Sequence, residues 1–193
     1  MDLSETTPQP KRNPWNAVRD FFCMHWLDLV LLLVFAGLIV ALDQWTKALV
    51  RDNVPLGADW LPSWLAWLAP YARIRHTFNT GAAFGLFQQG ALIFAILAVV
   101  VSVLIISYFP SVSRKDWWMR LALGMQLGGA LGNLMDRILR SGQVTDFISV
   151  GNFAIFNVAD SCITVGVIIL VIGVWITERR EAKAKKQTEA PSE

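Results

Sequence analysis

Several side chains in this sequence stand inside otherwise apolar stretches, where an ionisable group is costly and is a functional candidate by default. Asp43 and Lys47 lie at i and i+4 on one helical face, acid before base. Asn133, Asp136 and Arg137 stand at i, i+3 and i+4, and Asn157, Asp160 and Ser161 repeat that spacing. Asp146 falls between these two groups, in what reads as a short return loop. Ion pairing accounts for part of the set, since Asp43 suits Lys47 and Asp136 suits its neighbour Arg137. Asp146 and Asp160 are then left without an assigned cation.

Two carboxylates held together cannot both ionise easily, because like charges repel. One keeps its proton near neutral pH and polarises a carbonyl, while its charged partner takes a proton from water. That is the division of labour in aspartic proteases, and it requires neither a metal nor a nucleophilic side chain. Other chemistries fit the residues less well. His25 and His76 lie far apart and match no zinc spacing. A dyad of Lys47 with Ser149 or Ser161 would need a neutral lysine, and Asp43 one turn away favours the charged form. Cys162 has neither histidine predicted nearby, and it and Cys23 read as small buried hydrophobes. No metal and no cofactor is expected.

The elements that must hold these groups are membrane helices. Of the 193 residues, 54% are hydrophobic and 17% charged, with a mean hydropathy of +0.45. Soluble domains run at about 45–50% apolar and about 25% charged. A net charge of +2 does not suggest nucleic acid as a partner. A spanning helix needs about 20 mostly apolar residues. Candidates are Leu27–Val50, Ala91–Phe109, the glycine-rich and weaker Trp117–Leu134, and Phe156–Thr177. The expected fold is therefore an all-α membrane protein: a four-transmembrane-helix bundle with a small β/helix subdomain in its first outward loop. Residues 1–26 would form an N-terminal arm, 27–178 the membrane domain with the loop 51–90, and 179–193 a basic tail.

Lys and Arg favour the cytoplasmic side. Lys11, Arg12, Arg19, Arg114, Lys115, Arg120, Arg179, Arg180, Lys183, Lys185 and Lys186 outnumber Arg51, Arg73, Arg75, Arg137 and Arg140 on the other side. Both termini should face the cytoplasm and the loop 51–90 should face outward. Asp43 then lies roughly 22 Å from the inner surface at about 1.5 Å per residue, in the outer leaflet. The other polar groups collect at the same level. In the outward loop, LPSWLAWLAPY reads as a short interfacial helix and ARIRHTFNT as one or two strands. Gly124, Gly128 and Gly132 form a doubled GxxxG pattern, which lets helices pack closely. The ends, residues 1–14 and the Lys/Ala/Glu tail after Ile176, read as mobile.

Five blocks resemble those of the lipoprotein signal peptidase, or signal peptidase II, family: DQWTK (43–47), NTGAAFGLF (79–87), GGALGNLMDR (128–137), VTDF (144–147) and FNVADS (156–161). They occur in the family's order and touch every span except the second. The resemblance implies a bacterial inner-membrane aspartic endopeptidase. It would remove the signal peptide from prolipoproteins whose cysteine already carries diacylglycerol, working as a monomer in contact with membrane lipid, near the periplasmic face. It places the catalytic pair on Asp146 and Asp160. Asp136, a serious rival by spacing alone, takes a supporting part. Asn79, Gly81, Asn133 and Arg137 would line the site and meet substrate, Asn157 would sit beside the pair, and Asp43 and Lys47 would shape the site. Two readings from other classes are a proton-coupled transporter relaying through Asp43, Asp136 and Asp160, and a non-catalytic scaffold using the glycine face. The first predicts polar groups through the inner leaflet, and the second predicts that both aspartates tolerate Asn.

Overall fold

The computed structural model describes residues 14–81 and 90–188. Most of the NTGAAFGLF block and all of residues 1–13 lie outside these residues. Four long helices are present: α1 (Pro14–Asn53), α2 (Ala91–Tyr108), α3 (Trp117–Leu139) and α4 (Val158–Thr188). By length and composition three are apolar enough to cross a membrane, over Trp26–Asn53, Ala91–Ser111 and Val158–Arg179. Their exposed residues are large and apolar, for example Leu31, Leu38, Leu92, Leu104 and Val171. This is the inverse of a soluble fold and suits a lipid surround.

Helix α3 is not among those three, and its position explains why. α1, α2 and α4 all pack against it, and ten of its residues are buried, including Asn133 and Asp136. A helix enclosed by protein has little lipid to face, so its sequence is free to carry glycine and polar groups. Its glycines permit close approach. A methyl group on Gly128 would fall 2.7 Å from Ile39 Cβ of α1, and one on Gly129 would fall 2.5 Å from the Ala159 carbonyl oxygen of α4.

Two ends differ from expectation. α1 begins at Pro14, a residue suited to the first helical turn, so the second half of the presumed arm is helical. α4 continues through Thr188 rather than stopping near Ile176. Its Glu, Ala, Lys and Arg residues are strong helix formers that extend the turn already begun in the span.

A three-stranded antiparallel sheet lies between the helix ends, in the order β1 (Asp59–Trp60), β2 (Ala72–Asn79), β3 (Val144–Val150). β2 is the expected outward-loop strand. β3 corrects the reading of residues around Asp146 as a plain return loop. It pairs with β2 so that Thr77 faces Asp146 and Asn79 faces Val144, after an irregularity between Ile74 and Thr77. A 3₁₀ helix, Ser63–Leu68, carries the exposed Trp64 and Trp67. Further toward the N-terminus of α1, buried Asp28 pairs with Arg114 Nε at 3.1 Å and Arg120 Nη2 at 2.6 Å.

Candidate active site

α4 opens with a reciprocal cap. Asn157 precedes the helix, and its Oδ1 accepts from the Asp160 N–H at 2.9 Å. The Asp160 carboxylate in turn accepts from the Asn157 N–H at 3.2 Å. This is a capping box, which satisfies two otherwise orphaned backbone donors and fixes the Asp160 side chain. The next free N–H, of Ala159, donates to Asp43 Oδ1 at 3.0 Å. A carboxylate there also complements the positive end of the helix dipole.

The cap reaches beyond its own helix. Asn157 Nδ2 donates to Asp146 Oδ1 on β3 at 2.7 Å, and Asn79 Nδ2 on β2 donates to Asp146 Oδ2 at 3.2 Å. The Gly81 N–H donates to Asn79 Oδ1 at 2.8 Å, turning that amide so that its nitrogen faces the carboxylate. Asn133 Nδ2 donates to Asp160 Oδ1 at 2.7 Å. Asp146 and Asp160 are thus tied to one another through Asn157, and each accepts from neutral amides. Among the described residues neither takes part in an ion pair. Burial first, and the nearby charge of Asp160 second, push the Asp146 carboxyl up from 3.8 to about 7.

Behind Asn133 lies a different arrangement. Lys47 Nζ donates to Asp43 Oδ2 at 2.7 Å, Asn133 Oδ1 at 3.0 Å and Asp136 Oδ2 at 3.3 Å. An ammonium has three donors and no acceptor, so all three are used. Asp43, Lys47 and Asp136 are 0% exposed. Because Lys47 can only donate, it fixes Asn133 with Oδ1 toward itself and leaves Nδ2 for Asp160. The Thr145 N–H also donates to Asp136, at 2.9 Å.

The expected pairing of Asp136 with Arg137 is not the one formed. Asp136 pairs with Lys47 and with Arg140 Nε at 3.6 Å. Arg137 is adjacent in sequence and leaves α3 on another side, which aims it at the cavity. There it lies over the Phe94 ring, with its Nη1 donating to the Asn133 carbonyl.

A cavity of about 650 Å³ opens beside the two aspartates. Asn79, Gly81, Asn133, Arg137, Asp146 and Asp160 border it, and its remaining walls are largely apolar residues of α2, α3, α4 and the stretch 153–156 before α4. All ten sequence candidates therefore gather in one place, Asp43, Lys47 and Asp136 as the backing and the rest at or beside the cavity. Sequence reasoning missed Thr145, whose hydroxyl accepts from Arg51 Nη1 at 3.1 Å. It also missed the capping box, although N-x-x-D before an apolar run is the signal for one.

A family model described as signal peptidase (SPase) II matches residues 35–176, which include all of these positions. The chain belongs to the signal peptidase II family. It is thereby a membrane peptidase of bacterial type. The chain is 37% identical over 164 residues to the lipoprotein signal peptidase of Enterococcus faecalis, covering 83% of this chain and 97% of that protein. To the lipoprotein signal peptidase of Pseudomonas syringae pv. tomato it is 39% identical over 167 residues, covering 81% and 88%. Among solved structures, a bacterial membrane enzyme at 2.3 Å resolution superposes with a TM-score of 0.68 and 26% identity, over 84% of this chain and 93% of that one. A second, at 1.9 Å, gives a TM-score of 0.65 and 29% identity over 74% and 91%.

Proposed function

We propose that this signal peptidase II family member is an aspartic endopeptidase that removes the signal peptide from diacylglyceryl-modified prolipoproteins, cutting before the lipidated cysteine. Asp146 and Asp160 are its catalytic pair. The observation that carries this reading is two adjoining carboxylates, held by amides and, among the described residues, ion-paired to no cation, at the wall of a largely apolar cavity.

The pair shares one proton. Asp146 holds it near neutral pH, consistent with its carboxyl at about 7. Asp160 is its partner, its carboxylate held by the Asn133 side-chain amide and the Asn157 backbone N–H at the start of α4. A water between them loses a proton to Asp160 as its oxygen attacks the scissile carbonyl carbon. Asp146 donates its proton to the carbonyl oxygen. Collapse of the tetrahedral species breaks the C–N bond, the amine leaves with a proton from the pair, and Asp146 recovers its own from the gem-diol. Arg137, Asn133 and Asn79 hold the extended substrate backbone. Lys47, Asp43 and Asp136 position Asn133 and α4 without touching substrate.

In this proposal all four helices cross the bacterial cytoplasmic membrane, with both termini cytoplasmic and the pair near the periplasmic face. The excess of Lys and Arg at the ends and in the α2–α3 turn supports that orientation. Water then reaches the site from outside, while the acyl chains remain in the outer leaflet. One chain contains the whole site, so a monomer suffices. The test is incubation of the purified protein with a diacylglyceryl prolipoprotein peptide and its unmodified counterpart, with products read by mass spectrometry. Cleavage of the lipidated peptide alone, on the N-terminal side of its cysteine, is expected. Cleavage of both equally, or of neither, contradicts the assignment.

A further inference from the structure

Gln126 is a polar residue in the part of the cavity that the proposed chemistry does not use. It stands two helical turns below Asn133 on the same face of α3, about 10 Å along the axis at about 1.5 Å per residue. Its side chain borders the cavity together with Leu97, Ala98, Val101 and Thr164. Its Nε2 is shielded from solvent and has no hydrogen-bond partner among the described residues. Room for it is specific, because a methyl group on Gly166 of α4 would fall 3.0 Å from Gln126 Cγ. An unpartnered buried amide is unfavourable, and it persists at low cost only where something supplies an acceptor.

We infer that Gln126 forms a binding subsite for the signal segment, donating a hydrogen bond to an acceptor oxygen about three residues N-terminal to the scissile bond. This inference rests on the peptidase reading above. An extended chain rises about 3.3 Å per residue, so about three residues cover the distance from Asn133 to Gln126. The upstream part of a signal segment entering from the cytoplasm runs in that direction, toward the N-terminal end of α3. Rotation about the terminal torsion of Gln126, which is soft, turns the amide to the cavity. The acceptor is an oxygen in either of two forms: a backbone carbonyl left free at the last turn of the substrate helix, or a Ser or Thr hydroxyl.

The test reads binding separately from cleavage. A fluorescent diacylglyceryl prolipoprotein peptide is titrated against full-length Asp146→Asn protein in detergent, with and without Gln126→Met, and again with Gln126→Leu. Loss of one hydrogen bond should weaken binding about tenfold in both double variants. Their melting temperatures without peptide should rise, since a buried donor without an acceptor has been removed. Replacing Ser and Thr upstream of the cysteine by Ala identifies the acceptor. Weaker binding only when Gln126 is present points to a hydroxyl, and no dependence on these residues points to a carbonyl. Unchanged affinity in both double variants overturns the inference. Cleavage by Asp146→Asn itself would instead overturn the catalytic assignment and leave the affinity result standing.

Discussion

Two sets of carboxylates lie on either side of Asn133, and they are treated in opposite ways. Asp43 and Asp136 share Lys47, which directs one donor to each and the third to Asn133. Asp146 and Asp160 receive only neutral N–H groups. Asp43, Asp136 and Asp146 are buried and Asp160 is partly so, and Asp146 is nearly as enclosed as the first set, so burial alone does not separate them. The distinction is whether a positive charge bonds the carboxylate directly. A carboxylate with an ammonium against it holds helices in place. A carboxylate pair without one must share a proton, and a shared proton can be moved. About four turns earlier on α1, Asp28 repeats the first case, with two arginines around one carboxylate.

The largest expected effect lies on the side where no cation bonds the carboxylates. Asp146→Asn and Asp160→Asn should each reduce cleavage by more than about a thousandfold, a general acid or base being worth about 10²–10⁴ in rate. Both proteins should still insert, with melting temperatures at or above wild type. Lys47→Met should do the reverse in kind. It leaves Asp43 and Asp136 uncompensated in the interior and should destabilise by about 3–5 kcal/mol in a detergent melt. If Lys47→Met melts like wild type, the contrast between the two sets is wrong.

The pH dependence sharpens the same contrast. Asp146 is held above its ordinary 3.8, at about 7, first by burial and then by Asp160. The folded protein therefore binds the extra proton. The stability this contributes is complete below about 4 and is lost as pH rises through about 7. Activity should fall on the alkaline side over the same range. Asp160→Asn removes the second cause, so the Asp146 carboxyl should titrate at lower pH when followed by isotope-edited infrared.

Smaller effects concern the frame. Gly129→Ala places a methyl group against the Ala159 carbonyl, at the mouth of α4. It should cost about 1–3 kcal/mol, seen as a lower melting temperature. Ser141 holds φ 52° in the turn that ends α3, where the Gly142 N–H donates to the Arg137 carbonyl. Ser141→Gly should stabilise by about 0.5–1 kcal/mol in the same assay, since left-handed backbone disfavours a side chain.

Much of this was legible in the sequence, for reasons particular to its elements. Three spans announce themselves by apolar length. The spacing of Asn133 with Asp136, and of Asn157 with Asp160, puts each pair on one helix face. What was not legible depends on distance along the chain. Asp28 finds Arg114 and Arg120 across separations of 86 and 92 residues, which no local pattern reveals. The partner of Asp136 was misjudged because adjacency suggested Arg137, whereas consecutive helical residues point about 100° apart. VTDFISV reads in sequence as a connection because it lies between two helical segments, although its β-branched residues suit a strand.

The most direct test is a rate comparison on one lipidated prolipoprotein peptide among wild type, Asp146→Asn, Asp160→Asn and Asp136→Asn, each shown folded by its melting curve. Cleavage by wild type, and its loss in a folded Asp146→Asn and a folded Asp160→Asn, is the predicted result, with Asp136→Asn losing stability more than turnover. A folded Asp146→Asn or Asp160→Asn protein that cleaves at the wild-type rate would contradict it.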